Sequence, residues 1–246
     1  MNPFDKIDDP RRRVLIEALS FALISAIVPA RAAAQNVFGS RPSKLPAEQS
    51  IYRLSGTVTV NGQAATLQTP IRPGDTVETG ENSEVVFVVG GHSMILRARS
   101  NLVIEAEAEK KAVDSMLVAG LRMLSGKLLT VSRASRTRVS TGVATIGIRG
   151  TGWYAEADPD QTYFCTCYGV AEIAAADDPT STETVAAKQH DRPLYILREG
   201  AAGQRIRNAP FINHTDQELT LIETLVGRTP PFVFPKDEYT GPRREY

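Results

Sequence analysis

The sequence predicts an all-β protein: an antiparallel sandwich or β-roll of many short strands, with one C-terminal helix. Three observations predict it. Segments rich in Val, Ile and Thr recur between turn signals from Ile51 to about residue 208. Asn61-Gly62 and Gly90-Gly91 each separate two such segments, as hairpin turns do. Thr215-Asp-Gln-Glu218 is a capping box placed ahead of an apolar stripe of helical period.

The first 34 residues read as an export signal. Arg11, Arg12 and Arg13 precede an apolar run, Val14 to Ala30, that is short for a membrane span. Ala32 and Ala34 fit small-residue cleavage near Ala34, and the arginine run resembles a twin-arginine motif, which implies export in the folded state. A general secretory signal and an uncleaved anchor remain the alternatives. Residues 35–50, with Gly39, Ser40, Pro42 and Pro46, read as a linker.

The β domain is expected over residues 51–208. Strands are expected at Ile51 to Leu54, Thr57 to Val60 and Ala65 to Gln68, then at Glu84 to Val89 and Ser93 to Arg97, with turns at Arg72-Pro-Gly-Asp75 and Thr79-Gly-Glu-Asn82. Ala106 to Lys111 has helix-forming composition without an apolar stripe and reads as a loop or short helix. Met116 to Leu124 and Lys127 to Ser132 read as two strands joined at Ser125-Gly126. Arg133, Arg136 and Arg138 form a basic cluster that suits a solvated hairpin tip. Beyond Asp158-Pro-Asp160, Thr162 to Tyr168 and Val170 to Ala174 read as strands on either side of Gly169. Val185 to Gln189 and Leu194 to Leu197 are expected to pair as the last strands. Residues 209–232 form a helical extension with a helix from Asp216 to Val226, stopped by Gly227. Residues 233–246, mixing charges with Pro and Gly, read as a disordered tail.

Thr141 to Tyr154 is the stretch richest in information. Period-two alternation puts Ala144, Ile146 and Ile148 on one face and Thr145, Gly147, Arg149 and Thr151 on the other. Gly147, Gly150 and Gly152 mark a bend or a close approach, with Arg149 as one candidate to lie over Gly147. Arg149 is either an anion-binding residue or a strand-locking one that keeps buried partners satisfied. Arg149, Thr151 and Trp153 are the candidate binding residues.

Composition sets limits on function. Twenty-eight basic residues balance 28 acidic ones, and removing residues 1–34 takes away five basic and four acidic residues, leaving 23 against 24. That balance gives no electrostatic case for nucleic acid. The two cysteines, Cys165 and Cys167, are too few for a disulfide framework; two apart in a strand, they share a face. They are buried small residues, a strained disulfide, or thiolate ligands joined by His190 or His214 for zinc or copper. His190-Asp191 and His214-x-Asp216 place acids near the imidazoles, yet no Gly-x-Ser-x-Gly element accompanies His92, His190 or His214.

Gly74-Asp75-Thr-Val77 followed by Thr79-Gly80, Leu121 to Gly126 with its following strand, Ile148-Arg149-Gly150-Thr151, and Gly169 before a strand together resemble the FecR domain. That domain is the exported sensory part of iron-dicitrate-type regulators, and the resemblance spans roughly residues 52–175. It implies an all-β, non-catalytic module that contacts other proteins. The full regulators carry a cytoplasmic region and a membrane helix ahead of this domain, and residues 1–50 are too few for both. The expectation is therefore an exported, periplasmic binding or sensory module, with a protein or cell-envelope polymer as partner. No cofactor and no membrane span in the mature chain are expected. The alternative is a small metal-binding or hydrolytic protein built on Cys165, Cys167 and His190.

Overall fold

The chain enters its sheet at β1 (Ile51–Ser55) and makes its first hairpin from β2 (Val58–Val60) to β3 (Gln63–Ala64). Asn61 and Gly62 both take left-handed backbone, φ 52° and 76°, which the tight hairpin requires. The computed structural model describes residues 43–106, 118–132 and 137–232. The expected signal with Arg11, Arg12 and Arg13, the Ala106 to Lys111 segment beyond its first residue, Arg133, Arg136 and the tail all lie outside these residues.

The order continues with β4 (Thr76–Thr79), β5 (Glu84–Val89), β6 (His92–Leu96), β7 (Asn101–Ala106), β8 (Val118–Ser132), β9 (Thr137–Ser140) and β10 (Ala144–Ala157). It closes with β11 (Gln161–Ala175), β12 (Asp178–Ala187), β13 (Leu194–Leu197), β14 (Ile206–Asn208) and the helix α1 (Asp216–Leu225). Among the described residues all fourteen strands join one sheet. Every pairing is antiparallel except β8 with β9.

Three long strands turn this sheet into two layers. The first half of β8 pairs with β7 and β9, and its second half with β6 and β10. The first half of β10 pairs with β9 and the second with β8, while β11 runs beside both halves and adds β13 at one end and β12 at the other. Strands that change neighbours midway make the corners of a roll. The bends fall at glycines: Gly126, Gly150 and Gly169 have φ of 91°, 55° and 92°, and the β10–β11 register shifts between Arg149 and Trp153. Here the expectation of separate strands needs correcting, because Ser125-Gly126 and Gly169 bend β8 and β11 without ending them.

Two further expectations are corrected. Thr66 and Thr69 hold Ala65 to Gln68 in a turn through Thr66 N–H to Thr69 Oγ1 (2.9 Å) and Thr69 N–H to Thr66 O (3.0 Å), so β3 is only two residues long. β12 and β13 do not pair with each other; both pair with β11, on its two halves.

Alternation along the long strands separates two cores. Trp153, Phe164, Leu128, Leu121 and Ile146 belong to the large cluster enclosed between the layers. Their neighbours Tyr154, Cys165 and Leu129 point the other way, where Leu219, Ile222 and Leu225 of α1 cover them. One sheet face is thus filled by its own roll and the other by the helix. Such burial is the main favourable term in folding.

Candidate functional site

Helix α1 is placed by polar anchors at both ends. Thr215 caps it: its hydroxyl accepts the Glu218 amide (3.2 Å), and Glu218 accepts the Thr215 amide (3.0 Å). Arg97 from β6's end gives Glu218 two bonds of 3.0 Å, donates to the Asn213 carbonyl, and lies 5.3 Å from the Tyr154 ring centroid. At the other end the buried Glu223 accepts from Tyr168 Oη and Arg228 Nε, and Arg228 also donates to Ser132 O (3.2 Å).

Between these anchors the four sulfur and nitrogen donors expected from the sequence converge. The ligand atoms of Cys165, Cys167, His190 and His214 all lie within 4.8 Å of one another. The cysteines are free thiols on the helix-facing side of β11; His190 follows β12 and His214 precedes α1. His190 takes φ 50°, which turns its ring back toward Cys165, with Nδ1 3.5 Å from Cys165 Sγ and 3.1 Å from His214 Nε2. Rings pack around the imidazoles: Tyr154 stacks on His214 at 4.5 Å, and Phe211 lies 4.5 Å from both histidine centroids.

The outer partners fix the tautomers. His214 Nδ1 lies 2.7 Å from the Ile212 carbonyl, which only accepts, so Nδ1 carries the proton and Nε2 holds a lone pair. His190 Nε2 lies 2.8 Å from an Asp216 carboxylate oxygen, so it too donates. In the neutral ring His190 Nδ1 is then a second lone pair, aimed at the first. A cation must reconcile them. Without a metal it is a proton: burial opposes it, but Asp216 and Cys165 raise His190 to about 9. Cys165 is drawn down to about 4 by its hydrogen bonds with Cys167 and, against burial, with His190 and His214, whereas burial pushes Cys167 up. Cys165 has no exposed surface, which leaves a substrate no approach to the sulfur and disfavours the hydrolytic alternative.

Asp216 was visible in the sequence as a neighbour of His214, yet it orients His190 and also accepts from Gln189 Nε2 (2.7 Å). Asp191 accepts from the Lys188 amide instead and shapes the turn that carries His190. Tyr154 and Phe211 have no signal in the sequence that links them to the histidines.

The candidate binding residues separate. Arg149 is exposed on β10 and bonds Glu172 of β11 at 3.4 Å, so it has a carboxylate partner within the β domain, but that partner is exposed and not buried. Glu172, opposite Gly147, lies 3.9 Å from where a Gly147 Cβ would sit, so it, and not Arg149, lies against that glycine. Thr151 is part of β10. Trp153 is fully buried, stacked on Phe164 at 5.5 Å, so it presents no binding face. The glycine between them is needed for another reason: a Cβ on Gly152 would stand 2.4 Å from the Tyr168 ring. Arg149 and Glu172 line a groove of about 570 Å³ with Arg138, Thr145 and Glu105.

Two crystal structures, at 1.65 and 2.50 Å, of a provisionally named anti-sigma factor from Parabacteroides distasonis ATCC 8503 are similar to this chain. Identity is 13 % and 12 %, the TM-score is 0.42 for each, and the alignment covers 59 % of this chain. The chain spans 62 % of the length of those structures. No curated protein matches it. The FecR protein family matches residues 75–172, from the turn ahead of β4 to Glu172 in β11, and this bears out the FecR resemblance read from the Gly-Asp and Arg-Gly-Thr elements.

Proposed function

We propose that the chain is an exported FecR-like regulatory module that works by binding a protein and not by catalysis. The observation that carries this reading is the FecR match over residues 75–172, the segment that builds both layers of the roll. The exposed face of β9 and β10 is the docking surface: Arg138, Thr145 and Arg149 stand out from it, with Glu105 and Glu172 supplying opposite charge. Mixed charges of this kind favour partner choice and orientation over general stickiness. Residues 1–34, with Arg11, Arg12 and Arg13, direct the chain out of the cytoplasm. No helix of the described residues is long and apolar enough to cross a membrane.

Both halves are testable in the producing cell. Replacing Arg11 and Arg12 with Lys should leave an unprocessed precursor inside; unchanged export would exclude the twin-arginine route. Charge reversal at Arg138 and Arg149 together should abolish partner capture while leaving the unfolding midpoint in place. Capture that survives the reversal would remove this face from the reading.

A further inference from the structure

The geometry points to a closed zinc site formed by Cys165, Cys167, His190 and His214, which clamps the C-terminal helix onto the sheet. Two lone-pair nitrogens and two sulfurs face one point, and the alternatives at that point are a proton or a metal ion. Around tetrahedral zinc, with bonds of about 2.0–2.3 Å, ligand atoms stand roughly 3.3–3.8 Å apart. The 3.1 and 3.5 Å separations already approach these values. The widest is at most 4.8 Å, about 1 Å beyond the tetrahedral range. Two thiolates neutralise a divalent cation, so the loaded centre carries no net charge into the apolar space around it. Sulfur excludes calcium and magnesium, and two thiolates with two imidazoles form the closed set that zinc takes in structural sites.

The surroundings match a metal site as well as the ligands do. Each imidazole is held by its far nitrogen, His190 by Asp216 and His214 by the Ile212 carbonyl, which aims the other lone pair inward. Rings of Tyr154 and Phe211 close the site. Burial of three of the four ligands makes the role structural, with no open position for a substrate. His190 and His214 lie beyond residue 172, outside the FecR match, so the site joins the FecR-type segment to the C-terminal part of the chain. Loading releases two protons in exchange for the ion, because the four donors bind as two thiolates and two neutral imidazoles. Because the ligands come from β11, the segment after β12 and the segment before α1, binding free energy becomes docking free energy for the helix.

The test uses the full chain purified without chelator, with metal content by mass spectrometry and titration with zinc, cobalt and cuprous ion. One zinc per chain is expected, and cobalt in its place should give thiolate-to-metal charge-transfer absorption. Amide exchange in residues 216–226 should speed at least tenfold when a chelator strips the ion and slow again when zinc returns. Asp216→Asn, at the half-exposed edge of the site, should keep the fold and weaken zinc about 10–100-fold. Cys165→Ser should lose the charge-transfer band. A folded protein that takes up neither zinc nor cobalt, copper in place of zinc in the chain as purified, or a Cys165–Cys167 disulfide in the isolated chain would each overturn the assignment. So would stoichiometric zinc that Cys165→Ser and His190→Gln leave in place.

Discussion

His92 opens β6 with 3 % of its surface exposed and its Nδ1 without a hydrogen-bond partner among the described residues. Burial, helped by the nearby Arg228 charge, lowers it to about 4 from an ordinary 6.5. The unfolded chain therefore takes up this proton first. The stability that neutral His92 supports is complete above pH 6.5 and is lost as the pH falls toward 4, by about 3 kcal/mol for a shift of this size. Denaturant midpoints across that range, compared with His92→Leu, isolate the effect; parallel pH curves for the two proteins would contradict it. Arg149 makes the opposite case. Because it and Glu172 are both more than half exposed, Arg149→Ala should change stability by less than about 1 kcal/mol, and a chemical-denaturation curve displaced by more would show a buried role. A strand-locking Arg149 with buried partners would carry a larger cost; the alternation places Arg149 on one face with Gly147 but does not show that this face is turned to solvent. The Cys-x-Cys spacing was legible because strand periodicity fixes it locally. Asp216 as partner of His190 was not, because only the docking of α1 brings residues 26 apart in sequence within 2.8 Å.

Among the elements, α1 was the most legible, since its cap, its apolar face and its glycine stop are all local signals. Leu219, Ile222, Leu225 and Val226 are buried as the period requires, and the capping box is complete. Thr215→Ala should lower stability by about 1 kcal/mol, read as a shift in thermal midpoint; an unchanged midpoint would mean that the cap contributes nothing to docking. The long strands were less legible. A glycine with positive φ ends a strand in one context and bends it in another, and the neighbours that decide are distant in sequence. Gly152 shows what such a bend constrains, because Tyr168 fills the place of its side chain and is itself held by Glu223. Gly152→Ala should therefore cost about 1–3 kcal/mol. A substitution with no effect on the unfolding midpoint would show that the Tyr168 ring yields.

The described residues from Ile51 onward form a rolled sheet that fills its interior with one face and offers part of the other to a helix. All-β class and the single C-terminal helix followed from composition and turn chemistry; the two-layer arrangement did not, because it depends on where β8, β10 and β11 change neighbours. In this arrangement the helix and its Cys–His cluster cover one layer, while the exposed residues of β9 and β10 lie on the other half of the long strands. The central claim is that this exposed face binds a protein. Placing a photo-reactive residue at Thr145 in the full chain, in the producing cell, tests it most directly. The account predicts one discrete protein adduct that disappears when Arg138 and Arg149 are reversed in charge. No adduct from Thr145, or the same adduct with both arginines reversed, would contradict it.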